Sequence, residues 1–222
     1  MPEKQPVFIF DFGNVIAFFD FDRARQRIAD LTGIPVDELK RRAQASNLAA
    51  LVREFEHGRI PPDSFATEAC NRLDVALVPD QFHACWAEIF WLNHSVAQLV
   101  AQLDDAGFTL VLGSNTNQTH AQHFVKQFAP TLDRFDHLVF SHEVGHMKPA
   151  PEFYRACVRA ANAPAHQCVF IDDLAENVAG ARHCGLNAIH FKEANQLVAE
   201  FVKLGITHPL ALDSDPNPAN NP

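Results

Sequence analysis

The sequence predicts an α/β protein: a parallel sheet covered by helices on both faces, with an all-helical cap inserted after its first strand. Short unbroken apolar runs recur along the chain and alternate with amphipathic stretches of helical period. Residues 21–91, between the first run and the next, show helical patterns and no convincing strand. Of the 222 residues, 47% are hydrophobic and 20% charged, ample for a core domain with a smaller insertion and wrong for a disordered or collagen-like chain.

VFIFD (residues 7–11) is unbroken, rich in Phe and Val, and ends at an acidic residue and a Gly-containing turn, as a strand buried on both faces should. Pro35, Gly58, Pro61-Pro62 and Pro79 divide the following block into four or five helices, including 47–58 and 79–91. A helix over 95–107 closes on Gly107, a natural C-terminal cap. Strands are then predicted at 108–115, 137–141, 168–173 and 187–191, with a helix at 151–161. The division is 1–18 and 93–212 for the core, 19–92 for the cap, and a Pro/Asn-rich, disordered tail at 213–222. Ligands of such sheets bind at the carboxyl ends of the strands.

The 27 acidic residues exceed the 18 basic ones, giving a net charge of −9 that repels phosphate backbones and argues against nucleic-acid or anionic-membrane partners. Cys70, Cys85, Cys157, Cys168 and Cys184 are scattered and odd in number, which excludes a disulfide framework or zinc ribbon and makes a cytoplasmic setting the expectation. The N-terminal apolar stretch is broken by Asp11, so neither a signal peptide nor a membrane span is expected. The aromatic content is lopsided, with 19 Phe against one Tyr and two Trp, so the core has few polar handles.

Asp11 and the pair Asp172-Asp173 each end an apolar run. In one parallel sheet these carboxylates would gather at one edge, costly without a cation, and hard oxygen ligands suit magnesium. Any one of them alone reads equally well as a helix cap, with Asp173 capping the helix of residues 177–184. Ser114 closes another strand at the same edge, and the backbone N–H groups after it could cradle an anion. Lys148 lies after the 137–141 strand, before Pro149, where a solvated loop lysine is the bland alternative.

Asp at the first strand, Ser-Asn at the second, Lys-Pro before a helix and Asp-Asp-x-x-x-Asn later, in that order, resemble the haloacid dehalogenase-like hydrolase superfamily. The insertion with FEHGRI resembles that superfamily's helical cap on its Rossmann-like core, and DFGNV is similar to the branch containing α-D-glucose-1-phosphate phosphatases. The resemblance implies that Asp11 is a nucleophile forming an aspartyl phosphate on a small phosphorylated substrate, a sugar phosphate first among them. It implies Mg²⁺ ligands in Asp11, the Gly13 carbonyl and Asp172. It further implies phosphoryl contacts from Ser114, Asn115 and Lys148, and supporting roles for Asp173 and Asn177 in orienting water or Lys148.

Gly13 departs from the pattern, because most phosphatases of the superfamily carry an acid there that protonates the leaving oxygen, an effect worth about 10²- to 10⁴-fold. An anomeric sugar oxygen, being weakly basic, needs less help. Asp20 is a candidate proton donor from the cap hinge, or simply a helix cap. Three other readings follow: a catalytically silent module binding a phosphorylated ligand or protein, a zinc protease and a metal-free dehalogenase. The dehalogenase is disfavoured by Asp172 and Asp173. The protease rests on His142-Glu143-Val144-Gly145-His146, an H-E-x-x-H match that needs a helix this segment does not predict. His120 and His123 are read as polar-face residues of the helix that carries them.

Overall fold

The computed structural model describes residues 5–206 and 212; the expected tail at 213–222 lies outside them. Strands β1 (Val7–Phe10), β4 (Leu110–Ser114), β5 (His137–Phe140), β6 (Cys168–Asp172) and β7 (Asn187–His190) form one parallel sheet in the order β5-β4-β1-β6-β7. The period of two sorts each central strand. Phe8, Phe10, Leu110, Leu112, Val169 and Ile171 enter one core, while Val7, Ile9, Val111, Cys168 and Phe170 enter the other. Both faces are therefore buried, which is why these runs read as uninterrupted hydrophobics.

Helices α6 (His94–Asp105) and α12 (Ala194–Lys203) pack together and send Leu99 and Phe201 into the first core. Helix α10 (Pro151–Ala161) gives Phe153, Tyr154 and Cys157 to the second, beside α11 (Ala175–His183). Three further elements follow β4 and β5: α7 (Gln118–Gln127) and the single turns α8 (Ala129–Leu132) and α9 (Ser141–Val144).

Between β1 and β4 lies a hinge whose two strands the sequence did not reveal. Strands β2 (Ala17–Phe19) and β3 (Phe90–Leu92) pair antiparallel, and five helices rise between them. These are α1 (Phe21–Thr32), α2 (Val36–Ala45), α3 (Leu48–Glu56), α4 (Pro62–Leu73) and α5 (Pro79–Ala87). The predicted helix 79–91 thus stops at Ala87, and its last residues join β3. Three-residue strands carry too little alternation to be seen in a sequence. The many Phe residues form a continuous stack through this region. Phe55 lies 4.2 Å from Phe65, Phe65 lies 5.3 Å from Trp86, and Trp86 is stacked on His120 of α7 at 5.2 Å, linking cap to core.

His120 is consequently buried, not on a polar face. Its Nε2 donates to the Trp86 carbonyl at 2.9 Å and its Nδ1 accepts from the Asn117 amide at 3.0 Å, a neutral tautomer that burial pushes down to about 3. All five cysteines are free. Among the described residues, no helix is long and apolar enough to cross a membrane.

Candidate active site

The parallel sheet places the ends of β1, β4 and β6 side by side, and with them the residues singled out above. Asp11 follows β1, held by its backbone N–H to the Ile171 carbonyl at 2.8 Å. Ser114 ends β4 and Asp172 ends β6, both buried. One ligand oxygen from each of Asp11, Asp172 and Asp173 lies within 4.8 Å of the others, the one such cluster among the described residues.

Lys148 is no solvated loop residue. It is 5% exposed, and its Nζ sits 2.6 Å from Asp11 Oδ1 and 2.8 Å from Asp172 Oδ2, while donating to the Gly113 carbonyl at 3.1 Å. Desolvation pulls its pKa down, but Asp11 and Asp172 raise it above the usual lysine value, so the ammonium stays charged. Asn115 fixes the loop that carries it: its Oδ1 accepts from the Lys148 N–H at 2.8 Å and its Nδ2 donates to the Lys148 carbonyl at 3.1 Å. The Asn115 side chain is therefore engaged with Lys148.

The two neighbouring aspartates differ in their surroundings. Asp172 is fully buried, and Asn177 Nδ2, the Leu174 N–H and Lys148 satisfy both its oxygens at 2.8–3.1 Å. Asn177 thus orients Asp172, and Tyr154 Oη pins the Asn177 carbonyl from behind at 2.7 Å. Asp173 is half-buried, and Asn14 Nδ2 donates to its Oδ2 at 3.0 Å. Its carboxyl is raised by burial, against the Asn14 bond. It does not cap the following helix, which begins at Ala175 without a side-chain cap. Asn14 was missed in the sequence. Its left-handed backbone, φ 56°, in the turn after Asp11 is a conformation Asn tolerates, and reading the segment as a tight turn would have found it.

These residues fit a divalent cation. Burial pushes Asp11 up to about 7 against the pull of Lys148, with Asp172 and Asp173 adding repulsion. A dication relieves that repulsion, and hard oxygen donors suit magnesium. The Gly13 carbonyl takes no hydrogen bond from any described residue and is free to join. Above Gly13, a Cβ would meet the Phe19 ring at 3.0 Å, so an aromatic edge stands where a larger side chain would begin.

Asp20 accepts from the Asp22 N–H at 2.8 Å and caps α1 from an exposed position. The H-E-x-x-H segment does not form a zinc helix. It turns once, ends at Val144 and passes through left-handed Gly145, φ 77°, so His142 and His146 do not share a helix face.

The model of the family described as haloacid dehalogenase-like hydrolase matches residues 6–185. A phosphatase of Mycobacterium tuberculosis is 25% identical over 198 residues, 81% of this chain and 84% of its own. The D-ribitol-5-phosphate phosphatase of Bacteroides thetaiotaomicron is 25% identical over 77% of this chain and 84% of its own. A Bacteroides thetaiotaomicron enzyme of the same family, solved with magnesium and inorganic phosphate, superposes with a TM-score of 0.72 at 22% identity. It covers 85% of this chain and 95% of its own, and the likeness establishes the shared fold.

Proposed function

This chain belongs to the haloacid dehalogenase-like hydrolase family, and from that premise we propose that it is a magnesium-dependent phosphatase of a small phosphorylated metabolite, a sugar phosphate first among candidates. The observation that carries the reading is the buried Asp11–Lys148–Asp172 triad with the Asp173 carboxylate beside it.

Asp11 Oδ attacks phosphorus as the bond to the leaving oxygen breaks, giving an aspartyl phosphate that water then hydrolyses. Lys148 holds the phosphoryl group in line and offsets its charge, with the Ser114 hydroxyl and the Asn115 backbone N–H completing the cradle. Asp172 keeps the ammonium in place through its own bonds to Asn177. The magnesium-holding groups are Asp11, the Gly13 carbonyl and Asp173. Asp173 replaces Asp172 in the expected set because the oxygens of Asp172 are already satisfied by Lys148, Asn177 and Leu174. Bound magnesium would neutralise the clustered carboxylates and polarise the phosphoryl oxygens.

The test is phosphate release from a panel of phosphate monoesters, sugar 1- and 5-phosphates included, with and without magnesium. Turnover that needs magnesium and Asp11 supports the reading. Turnover that survives Asp11→Asn refutes the mechanism, and silence across the panel favours a module that only binds phosphorylated ligands.

A further inference from the structure

Within the cap, helices α1, α2 and α3 frame a cavity of about 490 Å³ that is lined by none of Asp11, Ser114, Lys148 and Asp172. In α1 the lining residues are 21, 24, 25 and 28, the spacing of one helix face, and α2 and α3 repeat the pattern at 39–40 and 43–44 and at 48–49 and 52–53. The floor is apolar, with Ala24, Ile28, Leu39, Leu48 and Leu73 all buried. Close-packed interiors leave few voids larger than a water molecule, and this volume lies in the range of small-molecule sites. The wall is also fixed in place, because the last turn of α3 is anchored to the core. Ser141 Oγ donates to the Glu56 carbonyl at 2.7 Å, and Gly58, φ 70°, lies flat on His142, where a Cβ would come within 2.0 Å of its carbonyl oxygen.

The polar side chains of the wall are Arg25, Lys40, Gln44, Arg53 and the Trp86 indole: three cations, one amide and one N–H, without an acid, in a chain of net charge −9. Guanidinium, ammonium and indole groups only donate, so Gln44 alone among these side chains can accept a hydrogen bond. Asp22, outside the wall, holds both Arg25 and Lys40, the latter at 2.7 Å. Arg53 is exposed at the rim, where Glu56 on the same helix feels its charge without forming an ion pair. Trp86 is 6% exposed, and its buried Nε1 has no hydrogen-bond partner among the described residues. A buried donor without an acceptor is rare and calls for one. A second cavity, of about 370 Å³ on another face of α1, lacks this bias, since it mixes Arg27 with Asp30 and Glu88.

We propose that the cap cavity is a binding site for an amphipathic organic carboxylate, separate from the site at Asp11. The apolar body lies against the floor of Ala24, Ile28, Leu39, Leu48 and Leu73, and the carboxylate supplies the acceptors that the cationic wall and the Trp86 indole lack. An apolar cavity of about 150 Å³ holds benzene, so about 490 Å³ accommodates a medium-chain body together with its head group. The charge selects an anion and the floor selects its apolar part. A small polar anion would leave the floor uncovered, and a neutral hydrocarbon would leave the donors unpaired. The proposal stands independently of the phosphatase reading.

The experiment is calorimetric titration of the full chain with hexanoate, octanoate, decanoate, 1-octanol and acetate, each below the concentration at which it self-assembles. Decanoate should bind one to one, and each methylene added from hexanoate upward should tighten binding about fourfold. 1-Octanol should bind at least about tenfold more weakly than octanoate, and acetate should not bind. Arg53→Gln should weaken octanoate about tenfold and leave 1-octanol unchanged, while Arg27→Gln, in the mixed cavity, should alter neither. Inorganic phosphate with magnesium should not displace decanoate. Absence of binding, or an affinity indifferent to chain length or to charge, overturns the proposal. So does an Arg53→Gln variant that matches wild type or is matched by Arg27→Gln. Displacement by phosphate would put the ligand at Asp11 and overturn the separate site while leaving the phosphatase reading intact.

Discussion

The two sides of the cleft are held by opposite means. At the core edge, Asp11, Lys148, Asp172, Asn177 and Asn115 form one net of direct bonds between 2.6 and 3.1 Å. In the cap, Phe55, Phe65, Phe82 and Trp86 stack with almost no polar contact. Directional bonds fix charge to within tenths of an ångström and fail together when one partner goes. Packed rings fix only shape, and their loss is graded by volume. The difference teaches that the core edge fixes charge in place while the cap fixes shape.

The hardest blow to the core edge is Asp11→Asn. It removes the nucleophile while keeping its shape, and phosphate release should fall at least about 10⁴-fold, measured as kcat/KM with magnesium present.

Next come two variants of similar cost and different origin. Lys148→Met strands the Asp11 and Asp172 carboxylates in the interior, and Phe65→Ala opens a hole in the cap; each should cost about 3–5 kcal/mol in denaturant unfolding. Magnesium should relieve the first, because a cation repays stranded charge, and leave the second untouched. Identical magnesium responses would erase the proposed contrast.

A finer cut separates the neighbouring aspartates. Asp173→Asn should weaken magnesium binding about 10- to 100-fold or more with little change in folding, whereas Asp172→Asn should loosen Lys148 and lower stability. Calorimetric titration and thermal melts on both variants decide it, and the reverse pattern would return Asp172 to the ligand set.

Much of the core edge was legible because strand-ending residues inherit their position from topology. Once β1, β4 and β6 are adjacent and parallel, Asp11, Ser114 and Asp172 must meet. The difference in surroundings between Asp172 and Asp173 was not legible. It depends on which carboxylate the buried Asn177 and Lys148 reach, a matter of side-chain direction that sequence order does not encode. The hinge strands were too short to show a period, and His120 looked polar because its partners, Trp86 and Asn117, come from the cap and from its own helix start. The cap was legible as helices, through Pro and Gly punctuation. Its docking through Ser141 and Gly58 joins residues more than eighty positions apart and leaves no local trace.

The smallest predicted effect lies at the seam between the two regions. His120 is neutral in the fold, with its pKa lowered from 6.5 to about 3 by burial, while the unfolded chain takes up a proton near 6.5. Below that value the unfolded state binds more protons than the folded one. The stability present above pH 6.5 is therefore lost as pH falls through the window from 6.5 toward 3, at a limiting slope of about 1.4 kcal/mol per pH unit from this residue. His120→Gln removes the titration and should flatten the slope between pH 6.5 and 5, read from urea unfolding as the difference between variant and wild type. It should also lower stability at pH 7, because the ring stacked on Trp86 is gone. If the slopes coincide, the cap and core are not joined by a buried neutral imidazole. The stacked rings alone would then hold the seam.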